Sequence, residues 1–92
     1  MTEFSPYRQP VAACAQLFRL GRDVEAALAM VELISALMPL FAPTPESVRQ
    51  QWSVLLAQVF ACQQRQDWLA LADYLEYEML ELMTQAGQGL AG

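Results

Sequence analysis

The sequence contains no histidine and no lysine, and only 16% of its 92 residues are charged. Without histidine, the chain lacks the side chain that most often serves as a general base near neutral pH. Helical di-iron sites built on Glu-x-x-His pairs are excluded, and Cys14 and Cys62 are too few for a zinc site. No glycine-rich phosphate loop is present, and there is no lysine to complete one. These absences predict a protein that is not an enzyme and that uses no metal or cofactor.

The net charge of −5 is distributed unevenly along the chain. Residues 1–65 carry five arginines and five acids and sum to zero, whereas residues 66–92 carry five acids and no base. Binding to nucleic acid requires a basic surface that displaces counterions from the phosphates. An anionic membrane attracts the same kind of surface. We therefore expect neither nucleic acid nor a membrane as a partner.

The amino terminus and the two cysteines indicate a cytoplasmic location. The first ten residues, MTEFSPYRQP, have no basic segment followed by an apolar core, so no signal peptide is predicted. Cys14 and Cys62 both fall on apolar faces of predicted helices. We expect two buried, reduced thiols, and a disulfide between the two halves is the alternative.

Apolar residues recur every three or four positions through most of the chain, which predicts an all-α protein. We expect one domain over residues 1–92, made of four antiparallel helices arranged as two stacked helical hairpins. The helices are predicted at residues 7–20, 23–38, 45–64 and 67–86. A loose arm is expected at residues 1–6 and a flexible tail at residues 87–92.

Several residues have the properties of helix ends. Gly21 can adopt the left-handed conformation that often follows a helix. Asp23, Thr44 and Asp67 are the expected N-caps of the second, third and fourth helices, because their side chains can accept hydrogen bonds from free N–H groups. Pro39 is expected to end the second helix, since proline removes a backbone donor.

The segment from Gly21 to Pro39 is the most apolar of the chain, and we expect it to organise the fold. A surface helix has one apolar stripe, but this segment has two rows. The first row, expected to face the core, is Val24, Ala27, Leu28, Val31, Ile34 and Met38. The second row is Met30, Leu33 and Leu37. Such a helix is either central in a bundle or covered by a partner. A membrane span is less favoured, because Glu32 lies within the segment.

The other three helices each show one predicted buried face. These faces are Val11, Cys14, Ala15 and Phe18; then Val48, Trp52, Leu55, Leu56, Val59 and Phe60; then Trp68, Leu71, Ala72, Leu75, Met79, Leu82 and Met83. The two halves are also similar at an offset of 44 residues, which pairs Asp23 with Asp67 and Glu32 with Glu76. This similarity favours two stacked hairpins over one irregular bundle.

The chain is 55% hydrophobic, and a domain of this length has too little interior for so much apolar surface. We therefore expect a homo-oligomer, or a complex with the amphipathic helix of a partner protein. The predicted binding surface combines the second row with residues of the fourth helix, and its acids would favour a basic partner. Its members are Met30, Leu33, Leu37, Leu69, Tyr77 and Leu80, with Asp73, Glu76 and Glu81 as the charged rim.

The residues from Leu20 to Ala26 resemble the turn of a tetratricopeptide repeat, in which glycine is followed five residues later by alanine. Gly21, Ala26 and Pro39 stand in similar places, although Pro39 comes one residue late, and Gln66 replaces the second glycine. A small, acidic chain of helical hairpins also resembles the flagellar and type III export chaperones of bacteria.

The resemblance implies a chaperone or adaptor that holds an amphipathic helix of a secreted subunit. The alternative is a structural homodimer, in which the same apolar rows are sealed against a second copy.

Overall fold

The computed structural model describes the backbone of residues 3–91 and the side chains of residues 3–87. Within those residues every regular element is helical, and four helices are formed, which confirms the all-α prediction. The elements are α1 (Ser5–Arg19), α2 (Asp23–Phe41), α3 (Glu46–Arg65), α4 (Trp68–Asp73), a π-helical turn (Tyr74–Met79) and α5 (Leu80–Ala91). The last three follow one another directly, and together we call them the C-terminal helix.

The turn between α1 and α2 has the geometry that the sequence predicted. Gly21 has a φ of +78°, in the left-handed region. Its N–H donates to the Phe18 carbonyl at 3.1 Å, and the Arg22 N–H donates to the Leu17 carbonyl at 3.0 Å. This pair of bonds is a Schellman motif, which satisfies the free carbonyls at a helix end.

The turn after α3 repeats this geometry without a glycine. Gln66 has a φ of +58° and donates its N–H to the Gln63 carbonyl at 3.1 Å. The Asp67 N–H donates to the Cys62 carbonyl at 2.9 Å. Gln66 therefore takes the place of Gly21, and the two turns correspond at an offset of 45 residues.

Burial on the helices that follow these turns supports the same offset. The buried residues of α2 are Ala26, Met30, Ile34, Leu37 and Phe41, and those 45 positions later are Leu71, Leu75, Met79, Leu82 and Ala86, which are also buried. The offset of 44 expected from the sequence is wrong by one residue, because it matches buried Ile34 with exposed Glu78.

Two of the predicted helix ends are wrong because aromatic packing extends the helices. The expected arm is already helical at Ser5, and Phe4 is 1% exposed, with its ring centroid 4.8 Å from that of Phe41. Pro39 lies inside α2, which continues to Phe41, where the ring stacks on Trp52 at 4.2 Å. Burial of this ring outweighs the hydrogen bond that proline removes.

At the other end of the chain, the backbone of the C-terminal helix continues to Ala91, past the tail expected from Gly87 onward. Gly87 is itself buried. Residues 1, 2 and 92, which belonged to the predicted arm and tail, lie outside the described residues.

Only one of the three expected N-caps makes its hydrogen bond. The Asp67 carboxylate accepts a bond from the Ala70 N–H at 3.3 Å, which confirms that prediction. Asp23 is instead the first helical residue of α2, which has no side-chain cap. Thr44 is buried, and its hydroxyl donates back to the Phe41 carbonyl, so it does not cap α3.

The centre of the molecule is the packing of α1 against the C-terminal helix. The helix α2 packs mainly on the other flank of α1, while α3 packs mainly on the C-terminal helix. The expectation that α2 organises the fold is therefore wrong. The C-terminal helix contributes the most to the core, since it is buried against two neighbours.

The predicted buried faces of α1 and the C-terminal helix are confirmed, apart from Trp68, which is only partly buried. On α3 the prediction holds except that Leu56 is partly buried and Phe60 is 43% exposed. Cys14 and Cys62 are free and buried, as expected.

Candidate interaction surfaces

The predicted binding row of α2 is largely inside the protein. Met30 and Leu37 have no exposed surface, and Leu33 is half-buried. The placement of Met30 and Leu37 on a binding surface is therefore wrong. Of the row expected in the core, Val24, Leu28, Val31 and Met38 are exposed instead, whereas Ile34 is buried as expected and Ala27 is half-buried. The face that α2 turns towards the core therefore differs from the predicted one.

The members of the predicted surface on the C-terminal helix do lie at the protein surface. Leu69 is 63% exposed and Tyr77 is 62% exposed. Asp73 and Glu81 are also exposed. The remaining two, Glu76 and Leu80, are half-buried.

The structure does not bring the two predicted sets together. Leu33 lines a groove between α1 and α2 that includes no residue of the C-terminal helix. Asp73 and Tyr77 line a separate shallow pocket of about 270 Å³ on the C-terminal helix. The single binding surface expected from the sequence is thus divided between opposite flanks of α1.

The acidic surface includes an arginine that sequence analysis did not assign to it. The Arg19 guanidinium lies 2.9 Å from an oxygen of Asp73 and 3.7 Å from an oxygen of Glu76. The hydrogen bond to Asp73, and then the nearby charge of Glu76, raise the pKa of Arg19. Part of the expected acidic rim is therefore neutralised, whereas Glu78 and Glu81 form no ion pair among the described residues.

Tyr77 belongs to the π-helical turn and interacts with the same charges. A hydrogen bond from its hydroxyl to Glu76, together with the negative charge of Glu76, raises the pKa of Tyr77 above its usual value. Single π-helical turns are often found at functional sites. Here the turn carries both Glu76 and Tyr77, so it shapes the acidic surface.

The groove between α1 and α2 has a largely apolar lining. It has a volume of about 490 Å³. Its lining comprises Pro6, Tyr7, Pro10, Ala13, Cys14, Leu17, Ala29, Glu32, Leu33 and Ala36. Glu32 is the one charged side chain in this lining. Three alanines lie along the groove, and they are the sequence signal that could have located it.

Cys14 is part of the groove lining, but its thiol is not activated. It donates to the Ala26 carbonyl at 3.4 Å. Burial raises the pKa of Cys14 to about 11, so the thiol is protonated at neutral pH. Because the thiolate is the reactive form, this arrangement gives the groove no nucleophile.

A second groove lies between α3 and the C-terminal helix, with a volume of about 580 Å³. Val54, Leu55 and Leu82 are the apolar residues of its lining, and polar side chains form the remainder. These polar residues are Ser47, Gln50, Gln51, Gln58, Glu78, Glu81 and Gln85. The lining of this groove is therefore more polar than that of the groove between α1 and α2.

The outward face of α2 exposes four large apolar side chains in one row, namely Val24, Leu28, Val31 and Met38. By length and composition alone α2 could also cross a membrane, with a mean hydropathy of 1.8 and 28% of its apolar window buried. One such helix is weak support for a membrane span, since core helices and signal sequences have the same properties.

Neither the side chains nor the comparisons identify a chemical activity. Among the described residues, no group of three or more acidic, cysteine or histidine side chains could hold a metal ion. Comparison with known proteins finds no family model, no characterised protein and no solved structure that matches this chain. The resemblance to tetratricopeptide hairpins and export chaperones therefore stays a prediction.

Proposed function

We propose that the chain is a non-enzymatic interaction module that binds an amphipathic helix of a partner protein in the groove between α1 and α2. The observation that carries this proposal is an open apolar groove lined by three alanines, Ala13, Ala29 and Ala36. Small side chains permit close approach of a second backbone, and helix-in-groove binding is a recurrent mode of recognition.

The dimensions and charge of the groove suggest what the partner helix must offer. Ala29 and Ala36 are seven residues apart, which is about 10 Å along α2 or two turns of a bound helix. Such a length accommodates apolar anchors at spacings of three, four and seven residues. Glu32 at the rim favours arginine or lysine on the flank of that helix.

The wider biological role that we propose is a cytoplasmic chaperone or adaptor, of the kind found in bacterial export systems. In this role the groove would cover an amphipathic helix of a subunit and prevent its premature assembly. Two stacked antiparallel hairpins, one formed by α1 and α2 and the other by α3 and the C-terminal helix, are the architecture that we propose to present this groove.

The test uses synthetic helical peptides with apolar anchors at these spacings and either arginine or glutamate on the polar flank. We expect the arginine peptide to bind the 92-residue chain with a dissociation constant of about 10 µM. Ala36→Phe fills the groove and should weaken binding about tenfold or more. Ala57→Phe, on the exposed face of α3, is the matched control and should leave binding unchanged.

The proposal fails if the wild-type chain binds the two peptides and a scrambled sequence equally. It also fails if Ala36→Phe and Ala57→Phe have the same effect. Circular dichroism of both variants separates loss of binding from loss of fold.

A structural homodimer is the second candidate function, and the exposed row on α2 favours it. The apolar rows that the sequence analysis assigned to a homodimer interface cannot all take part in it, because Met30 and Leu37 are buried. A self-interface therefore needs a different set of residues.

A further inference from the structure

The outward face of α2 carries large apolar side chains at regular spacing, and these side chains are exposed rather than buried. Six exposed residues of α2 and its C-cap alternate at steps of four and three, and we call this set the α2 seam: Val24, Leu28, Val31, Ser35, Met38 and the C-cap residue Ala42. Its four large apolar members are between 52% (Met38) and 72% (Val24) exposed. Steps that alternate between four and three are the pattern of core positions by which two helices pack as a coiled coil.

We propose that the α2 seam pairs with the α2 seam of a second copy of this chain, with the two helices antiparallel about a twofold axis. The axis passes at the level of Leu33. The pairing then places Val24 of one copy opposite Ala42 of the other, Leu28 opposite Met38, and Val31 opposite Ser35.

The choice of a second copy as the occupant rests on the match between these pairs. Each valine meets a small side chain, and the two long side chains meet each other. Layers of this kind can fill the space between two helices without voids or overlap. Two copies of the seam therefore match in side-chain size when they run antiparallel. Binding to an unrelated helix would not require this match.

A parallel pair does not have this complementarity. It would place Ser35 against Ser35 and Ala42 against Ala42, which leaves one layer of small side chains within the seam and another at its end. It would also align the two helix macrodipoles, whereas an antiparallel pair opposes them favourably. The antiparallel arrangement gives an isologous dimer, in which each copy contributes the same surface.

The acidic residues beside the seam give a second way to test the proposed dimer. Glu25 is paired with Arg22 at 3.2 Å, whereas Glu32 has no ion pair among the described residues. Glu32 lies one residue from the proposed axis, so the two Glu32 side chains share one side of the dimer, about 3 Å apart along its length. Their repulsion weakens the dimer, and salt screens it. Glu32→Gln and added sodium chloride should both strengthen association.

Sedimentation equilibrium of the 92-residue chain, at concentrations up to about 100 µM, tests the proposal. The wild-type chain should form dimers. Val31→Glu should raise the dissociation constant about tenfold or more, because it buries a charge at the interface. Val54→Glu is the matched control, since Val54 is 57% exposed and Val31 is 56% exposed. The control should leave the dimer intact.

A monomeric wild-type chain would overturn the proposal, as would equal effects of the two glutamate variants or weaker association of Glu32→Gln. Flotation with phosphatidylcholine vesicles identifies one other occupant: a monomer that floats with vesicles through α2 shows that lipid covers the seam. None of these outcomes depends on peptide binding in the groove between α1 and α2.

Disulfide trapping tests the orientation of the two helices. In a mixture of Val24→Cys and Ala42→Cys chains, we expect disulfides between the two variants rather than within either one. Val24→Cys chains that cross-link to each other at the same rate would indicate a parallel pair and overturn the arrangement. Cys14 and Cys62 are buried and do not interfere.

Discussion

Tyr77 is the tyrosine whose ionisation depends most clearly on its neighbours. Its hydroxyl donates to Glu76, and this bond favours the protonated phenol. The charge of Glu76 acts in the same direction, while Arg19 acts against it. Since the folded-state pKa is raised, the interaction stabilises the fold at neutral pH and is lost as the pH rises through that pKa.

We expect Glu76→Gln to lower the pKa of Tyr77 towards its usual value, because the carboxylate acceptor and its charge are both removed. Ultraviolet absorbance titration measures this shift, with Tyr77→Phe used to assign the transition. Glu81→Gln is the control and should leave the curve unchanged. An unaltered titration in Glu76→Gln would show that another group raises this pKa.

Gln66 has a backbone conformation that glycine adopts at lower cost. Its φ of +58° is unfavourable for a residue with a side chain, and its function as the end of α3 matches that of Gly21. We expect Gln66→Gly to stabilise the protein by about 0.5–1 kcal/mol. Gln58→Gly, inside the same helix, should destabilise it by about 1 kcal/mol. Urea unfolding of the two variants should therefore give changes of opposite sign.

At the scale of helices, the sequence predicted the elements better than their ends. The period of the apolar residues was sufficient to locate four helices, since that pattern depends only on neighbouring residues. The ends at Phe4 and Phe41 depend on contacts between aromatic rings from distant parts of the chain. Local signals such as Pro39 could not reveal those contacts.

The predicted orientation of α2 was wrong for a related reason. Its two apolar rows are similar in hydrophobicity, so the sequence does not say which row faces α1. The structure buries Met30 and Leu37 of one row and exposes most of the other row, including Val24 and Val31, although Ile34 of that row is buried. The expectation that this chain cannot bury all its apolar surface nevertheless holds, because large apolar side chains of α2 remain exposed.

Asp67 and Asp23 were both predicted to be N-caps, but they have different roles in the structure. Asp67→Ala removes the bond to the Ala70 N–H and should cost about 1 kcal/mol. Asp23→Ala removes only an acid from the first turn of α2, and should cost about 0.3–0.5 kcal/mol through the helix dipole. Urea unfolding distinguishes the two variants. Equal losses in the free energy of unfolding would contradict the assignment of Asp67, and not Asp23, as a side-chain cap.

At the scale of the molecule, the fold class was predictable, whereas the candidate site was predictable only in part. Leu33 does line the groove proposed for a partner helix, and Tyr77 is exposed as expected. Arg19 could not be placed beside Asp73 from sequence, because the two residues are 54 positions apart and meet only through packing. Site residues on different helices require the packing order, and α2 was assigned the wrong place in it.

The segment before α1 joins three parts of the fold. Phe4 is buried, its ring meets Phe41 at the end of α2, and Phe41 stacks on Trp52 of α3. Because α2 and α3 share few other contacts, this aromatic cluster connects them. Phe4→Ala should therefore lower the free energy of unfolding by about 3 kcal/mol, through lost burial and the cavity left behind.

Urea unfolding followed by tryptophan fluorescence measures this loss, since Trp52 is within the cluster. Glu3→Ala, one residue earlier and exposed, is the control and should unfold at the wild-type midpoint. If the segment were the loose arm that the sequence predicted, both variants would behave like the wild type. A large loss confined to Phe4→Ala would show that a short segment before the first helix holds α2 and α3 in place.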